Sequence, residues 1–209
     1  MMTNRLQLIK EIEHYEPVNE QEASDRAFIL DALLSQQNIF QRENGVMHMT
    51  ASGWVLNRDD SRILMAYHNI YKSWAWLGGH ADGEEDLRAV ALREVREESG
   101  IRNVCLRDPG IFSLEVLTVD GHEKKGSYVS SHLHLNVTFL ITADDREQLR
   151  IRPGENSSVA WFDPDEAVAR STEPWFQERI YGKLNRKLRT MGIIRQQGAV
   201  PSVYENDSH

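Results

Sequence analysis

Three glutamates near the middle of the chain, Glu94, Glu97 and Glu98, are the residues whose type and spacing most suggest chemistry. On a helix, where successive residues are about 100° apart, Glu94 and Glu98 share the apolar stripe that should face the core, and Glu97 lies at its edge. Buried carboxylates lose their hydration and repel one another. A divalent cation relieves both problems, because hard cations such as Mg²⁺ prefer carboxylate oxygens and bridge them to phosphates. The pattern therefore favours a metal site over a solvated acidic face, the usual meaning of a charge run.

The helix that must carry these acids has start and end signals of its own. Asp82 followed three residues later by Glu85 is typical of a capping box. Gly100 predicts a left-handed residue that ends the helix. Arg93 precedes Glu97 by one turn, so we expect an ion pair between the two side chains.

The segments on either side of this helix predict strands and further helices. "HMTASGWVL" and "RILMAYH", separated by the turn signal "NRDDS", predict a β-hairpin. "GIFSLEVLTVD" and "SHLHLNVTFLIT" predict two more strands joined by the charged loop "GHEKKGS". "SVAWFDPDEAVA" predicts a strand that leads into a helix capped by Asp163, and "WFQERIYGKLNRKLRTM" has helical spacing. Together these elements predict an α+β fold in which helices cover a mixed sheet.

The N-terminal region is predicted to add two helices to this fold. Apolar residues recur at helical spacing from Leu6 to about Ile39, with a break at "YEPVNEQEAS". We assign residues 1–45 to an N-terminal helical extension, residues 46–192 to the main domain and residues 193–209 to a C-terminal tail. The extension could be a substrate lid, a dimer contact or core cover, and a homodimer is therefore one expectation.

Composition limits the classes of function. The chain has 209 residues, 40% of them hydrophobic, and a net charge of −8 that disfavours binding to a long nucleic acid. Its single cysteine, Cys105, cannot form an internal disulfide. No run approaches the roughly 18 apolar residues of a membrane span, and the N-terminus does not read as a signal peptide. We expect a soluble protein of the cytoplasm with no membrane partner.

The spacing of the acidic helix resembles a known family. The chain reproduces the full Nudix box from Gly79 to Ile101. Five residues separate Gly79 from Glu85, and seven separate Glu85 from "REV". One residue then separates "REV" from "EE", and one separates "EE" from "GI". Outside the box, "HMTASGWVL", "GGHADG", "HLHLNVTFL" and "ENSSVAWF" are similar to a bacterial Nudix subgroup without a settled substrate, over roughly residues 20 to 190. One departure is Leu77, where many members carry proline before the double glycine.

The resemblance implies an α/β/α sandwich and an enzyme that uses Mg²⁺ or Mn²⁺ to hydrolyse a diphosphate linkage. The substrate would be a small nucleotide or a nucleoside diphosphate linked to another group. The metal ligands implied are Gly78, through its carbonyl, and the carboxylates of Glu94, Glu97 and Glu98. Arg93 would orient the acids, and Glu85 would support the loop before the helix.

The general base stays open between two residues. Glu97 is the first choice from the helix, and Glu155 in "RPGENSSVAW" is the distant-loop alternative, unless Glu155 is only an exposed acid. Two other functions also stay open. A silent Nudix-fold sensor would usually lack one of the metal-binding acids, and an RNA 5′-end hydrolase would need a basic patch such as "RKLR" against the acidic balance.

Four residues outside the box are candidate substrate contacts: Trp76, His80, His132 and His134. A tryptophan can stack on a base, although aromatic residues are first of all core material. His132 and His134 would share one strand face. A zinc site would need a third and fourth ligand at recognisable spacing, and the sequence shows none.

Overall fold

The computed structural model describes residues 3–124 and 126–195, so the predicted tail lies outside the described residues from 196 onward. The helices are α1 (Asn4–His14), α2 (Glu20–Ser35), α3 (Leu87–Ser99), α4 (Pro164–Arg170) and α5 (Gly182–Thr190), and a π-helical segment (Phe176–Tyr181) leads into α5. The strands are β1 (Met47–Leu56), β2 (Ile63–His68), β3 (Ser73–Ala75), β4 (Leu77–His80), β5 (Val104–Leu106), β6 (Ser113–Val119), β7 (His122–Lys124), β8 (Ser127–Val129), β9 (His132–Ala143) and β10 (Asn156–Phe162). Within these ranges no helix has the length and apolar character needed to cross a bilayer.

A mixed sheet forms the centre of the molecule. Its main strand order is β10-β2-β1-β9-β5, with β3 paired to β2, β4 to β1 and β6 to β9. β1 and β9 run parallel over ten paired positions, from Met47↔Leu133 to Leu56↔Thr142, whereas the remaining pairs in this sheet are antiparallel. The expected hairpin of β1 and β2 is present, with Leu56 opposite Ile63.

Helices cover both faces of this sheet, as the sequence predicts. Because side chains alternate along a strand, β1 sends Met49, Ala51 and Val55 into one core, where they meet α3 and the N-terminal helices. It sends Trp54 and Leu56 into a second core formed with the C-terminal helices. Buried side chains of β1 thus contribute to both cores.

The two predicted N-terminal helices are present, and α2 is joined to the C-terminal helix by buried charges. Thr3 and Asn19 cap α1 and α2 through their side-chain oxygens. Glu22, in the first turn of α2, is fully buried and lies 3.1 Å from the Nζ of Lys183 on α5. Residues far apart in sequence thus join α2 to α5.

Two local predictions were wrong. The helix α3 begins at Leu87 with Asp86 as its cap, because the Asp86 carboxylate accepts from the N–H groups of Arg88 and Ala89. The predicted cap, Asp82, instead has a left-handed backbone with φ of 51° and pairs with Arg42. The segment "GHEKKGS", predicted as a loop, contributes to the small β7–β8 hairpin. The other end of α3 is as predicted, since Gly100 has φ of 76°.

Candidate active site

Two of the three glutamates of α3 are buried and the third is exposed. Glu94 and Glu98 are only 8% and 7% exposed, on the face that also buries Leu87 and Val90. Glu97 projects from the edge of this face, with 41% of its side chain exposed. The three carboxylates are therefore distributed around the helix as predicted.

Glu98 is held in an environment that disfavours its charge. Its Oε2 atom accepts one hydrogen bond from the backbone N–H of Gly78, at 3.1 Å. Burial, followed by the negative charge of Glu94, raises the pKa of Glu98 from its usual value of 4.5 to about 8. A carboxylate in this position gains strongly from any cation that binds beside it.

Glu94 lies between two arginines. Its Oε1 atom is 3.0 Å from Arg93 Nη2, and its Oε2 atom is 3.1 Å from Arg152 Nη1. The same Arg152 nitrogen lies 2.9 Å from Glu97 and 3.1 Å from Glu155. One guanidinium nitrogen thus occupies a point on which three carboxylates converge.

Arg152 is the site residue that the sequence did not reveal. It lies more than 50 residues beyond the box, in a loop whose only local signal is the turn "RPGEN". Asn156 at the start of β10 fixes this loop, because its side chain donates to the Glu98 carbonyl at 3.0 Å and accepts from the Arg152 N–H at 2.9 Å. The fold thereby brings Glu155 to the acidic helix.

The predicted pair between Arg93 and Glu97 is not formed among the described residues. Arg93 instead contacts the adjacent Glu94 and, at 3.4 Å, the carbonyl oxygen of His80 on β4. Glu97 has Arg152 as its partner instead. Arg93 thus contacts an acid of the box, although a different one from that predicted, and its orienting role stays a prediction.

The double glycine is needed because β4 packs closely on both sides. Gly78 and Gly79 pair with Ser52 and Ala51 of β1. A Cβ atom on Gly79 would lie 2.7 Å from the carboxyl carbon of Glu94, and one on Gly78 would lie 2.6 Å from the Ala51 carbonyl oxygen. Glycine at both positions lets the backbone approach the carboxylates.

Glu85 connects this region to the N-terminal helices. Its Oε2 atom accepts from the backbone N–H of Arg5 at 3.1 Å. The loop before α3 is therefore fastened to the start of α1. This contact is consistent with the supporting role expected of Glu85, which stays a prediction.

The four candidate substrate contacts lie in two different places. Trp76 donates its backbone N–H to the hydroxyl of Tyr181 and packs edge-on against that ring and Phe176, within the second core. His80, His132 and His134 instead meet one another, and a histidine that sequence analysis had not singled out, His48, completes the group. We call His48, His80, His132 and His134 the histidine cluster.

The family of the chain follows from a domain match that includes all of these residues. The NUDIX domain matches residues 47–184. The chain belongs to the Nudix family. This Nudix chain is 31% identical over 94 residues to nucleoside diphosphate-linked moiety X motif 6 of Xenopus laevis, an alignment that covers 40% of the chain and 43% of that protein. It thus spans less than half the length of this relative.

Two solved structures share the fold of the Nudix chain. The Ap4A hydrolase of C. elegans, in a binary complex, is 18% identical, with 68% of this chain and 96% of that one covered and a TM-score of 0.50. The Nudix hydrolase RenU of M. smegmatis is 14% identical, with 71% and 90% covered and a TM-score of 0.51. At these identities the likeness concerns the fold alone, and it confirms the predicted α+β sandwich.

Proposed function

We propose that this chain is a divalent-cation-dependent pyrophosphohydrolase that cleaves the diphosphate linkage of a small nucleotide or nucleoside-diphosphate-linked metabolite. The observation that carries the proposal is the convergence of Glu94, Glu97 and Glu155 on one point, beside the buried carboxyl of Glu98. A structural acidic face would be solvated, whereas two of these acids are more than nine-tenths buried.

The donor set fits a hard cation. The carboxylates of Glu94, Glu97 and Glu98, together with the Gly78 carbonyl, would supply only oxygen ligands, which suits Mg²⁺ or Mn²⁺. Burial and the charge of Glu94 raise the pKa of Glu98, and a bound cation would favour its charged form. When bound, such a cation would screen the diphosphate and stabilise the charge that develops on the departing phosphate.

The protein groups would orient the reaction and accept a proton. A water oxygen forms a new bond to phosphorus, the bond from phosphorus to the bridging oxygen breaks, and the proton of the water passes to a carboxylate. Glu97 is our first choice for this base because its side chain is exposed. Its carboxylate contacts the same Arg152 nitrogen as the carboxylate of Glu155. Arg93 and Arg152 hold the acids in place and, as cations, would also attract the substrate phosphates.

The basic segment "RKLR" does not favour an RNA substrate. Lys187 lies against Tyr15 and Glu22, and only 12% of its side chain is exposed. Arg189 is equally buried and pairs with Asp165. Because two of the three basic side chains of this segment are engaged within the protein and only Arg186 is exposed, they offer little open surface for a nucleic-acid backbone, and a small substrate fits better.

A substrate panel tests the proposal. The chain would be assayed with nucleotides, nucleotide sugars, dinucleoside polyphosphates and capped RNA in Mg²⁺, in Mn²⁺ and in EDTA. We expect turnover of a small diphosphate-containing compound in the presence of metal and none in excess EDTA. Full turnover in EDTA would contradict the role of the cation. Tight binding of a nucleotide without cleavage would contradict the hydrolase and favour the sensor alternative.

A further inference from the structure

The histidine cluster, His48, His80, His132 and His134, brings together side chains from three strands. His48 on β1 is directly opposite His134 on β9 in the parallel ladder. His132 lies two residues earlier on the same face of β9, and His80 on β4 pairs with Thr50, two residues beyond His48. The ring centroids of His48 are 5.1, 4.9 and 5.0 Å from those of His80, His132 and His134.

One nitrogen in this cluster is buried and has no partner. His48 is 4% exposed, and its Nε2 atom has no hydrogen bond among the described residues. Its Nδ1 atom lies 3.0 Å from the carbonyl oxygen of Asn44. Because a carbonyl only accepts, Nδ1 carries the proton, and the neutral ring presents a lone pair on Nε2. Such an atom needs a ligand, since buried polar atoms are otherwise bonded.

A second ring has the same orientation. The Nδ1 atom of His132 lies 2.8 Å from the carbonyl oxygen of Ser130, which leaves its Nε2 lone pair directed at Nε2 of His134, 3.2 Å away. In metal sites the imidazole ligands characteristically donate their other N–H to a backbone carbonyl or carboxylate, which fixes the ring. The carbonyls of Asn44 and Ser130 give His48 and His132 this arrangement.

A lone pair on His48 Nε2 can bind a metal cation or accept a hydrogen bond from a donor. A phosphate oxygen also accepts, so it could bind this nitrogen only if the ring were protonated. Burial lowers the pKa of His48, and burial together with the neighbouring histidines lowers that of His134 strongly. Neutral imidazole is the form that binds metals.

We propose that His48, His80 and His134 form a second metal site in this chain, for Zn²⁺ or a cation of similar class, with His132 as a fourth nitrogen within reach. One ligand nitrogen from each of the three lies within 4.8 Å of the others. Two nitrogens bound to a tetrahedral Zn²⁺ are about 3.3 Å apart, given bonds of about 2.0–2.1 Å. Side-chain rotation would have to bring the three nitrogens to this distance, and the Nε2 atoms of His132 and His134 are already 3.2 Å apart.

This site is chemically distinct from the carboxylate site beside it. Nitrogen ligands favour borderline cations such as Zn²⁺, whereas the oxygen ligands of α3 favour Mg²⁺ or Mn²⁺. The two are mechanically linked, because His80 follows Gly78 and Gly79 on β4 and its carbonyl accepts from Arg93. A cation joining β1, β4 and β9 would fix the strand that presents the double glycine to the acids. This inference does not depend on the proposed hydrolysis.

The test measures Zn²⁺ binding to the full chain, prepared without a histidine tag and freed of metal with EDTA. Zn²⁺ would be titrated by calorimetry in several millimolar Mg²⁺, which occupies oxygen sites, and the coordination of the bound ion would be determined by X-ray absorption. We expect about one Zn²⁺ per chain with imidazole ligands. His80→Ala and His134→Ala should each weaken binding at least about tenfold.

Three variants make the outcome specific. His14→Ala removes an exposed histidine of α1 and should bind Zn²⁺ as the wild type does. Glu98→Gln alters the carboxylate site and should also retain Zn²⁺, so failure of one site is distinguishable from failure of the other. Zn²⁺ should raise the melting temperature of the wild type and of His14→Ala but not of His134→Ala, provided circular dichroism shows that this variant folds. If His134→Ala fails to fold, His80→Ala carries the comparison. The proposal would be overturned if the chain bound no Zn²⁺ in the presence of Mg²⁺. It would also be overturned if His80→Ala bound Zn²⁺ with the same affinity as the wild type.

Discussion

Two groups of buried carboxylates in this chain differ in how much positive charge the protein places beside them. Glu22, between α2 and α5, lies 3.1 Å from Lys183 and 3.3 Å from Lys187. Although burial alone would raise its pKa, the two lysines lower the pKa of Glu22 to about 2. Glu98, on α3, accepts from one backbone amide and has its pKa raised to about 8. The same residue type is thus driven in opposite directions by its surroundings.

The difference separates acids that hold the fold from acids that we propose bind a ligand. Around Glu22 the chain supplies its own cations, and Lys183 also lies 3.0 Å from the buried Glu115. Around Glu98 the nearby Arg152 is shared among Glu94, Glu97 and Glu155. Repulsion that the fold leaves unrelieved is a cost that a bound metal would offset.

The largest effect on stability should come from removing the negative charge of Glu22. We expect Glu22→Gln to lower the free energy of unfolding by about 3–5 kcal/mol, because it leaves two buried lysines facing a neutral amide. Urea denaturation at pH 7 measures this loss. Glu20→Gln is the matched control, since it alters an exposed acid in the same first turn of α2. A loss for Glu22→Gln no greater than that of the control would remove the contrast between the two groups.

The dependence of stability on pH should confirm the direction of the Glu22 shift. The pKa of Glu22 is lowered in the folded state from 4.5 to about 2, so its contribution is complete above about pH 4.5 and is lost as the pH falls toward 2. We expect the stability difference between wild type and Glu22→Gln to shrink across this window. Urea midpoints between pH 3 and 7 would show it, and a constant difference would contradict the ion pair.

In the ligand-binding group the main effect should be on activity. We expect Glu98→Gln to lower kcat by about a hundredfold or more, roughly 2.7 kcal/mol or above, because a charge that acts in the transition state is lost while the shape is kept. Steady-state assays on a substrate found by the panel measure it. Glu13→Gln, an exposed acid on α1, should match the wild type. A Glu98→Gln rate within threefold of wild type would move the site elsewhere.

The parts of this site that the sequence predicts are those set by local spacing. The burial of Glu94 and Glu98 follows from the helical period, and Gly100 ends α3 because its left-handed conformation suits glycine. The cap of α3 was placed wrongly because Asp82 and Asp86 lie four residues apart and either can serve as a cap. Only the backbone path, with Asp82 at positive φ, decides between them.

The parts that the sequence does not predict depend on strands that meet only in the fold. Arg152 reaches the acids because Asn156 fixes its loop against the end of α3. His48 and His80 join His134 because β1 pairs with both β4 and β9. No spacing along the chain predicts these contacts, so the sequence alone does not place His48 and His80 beside His134.

The smallest effect returns to Glu98 and separates metal binding from folding. Because burial raises the pKa of Glu98 to about 8, the metal-free folded state loses stability as the pH rises from about 4.5 to 8. Glutamine resembles the protonated acid, so in EDTA at pH 7 we expect Glu98→Gln to be at least as stable as the wild type. Mg²⁺ should reverse the order, since the wild type binds the ion more tightly. The gain is about 1 kcal/mol when Mg²⁺ is at roughly five times its Kd. Thermal melts of both proteins in EDTA and in several millimolar Mg²⁺ measure the reversal. A large loss of stability for Glu98→Gln in EDTA would place Glu98 with Glu22 among the acids that hold the fold.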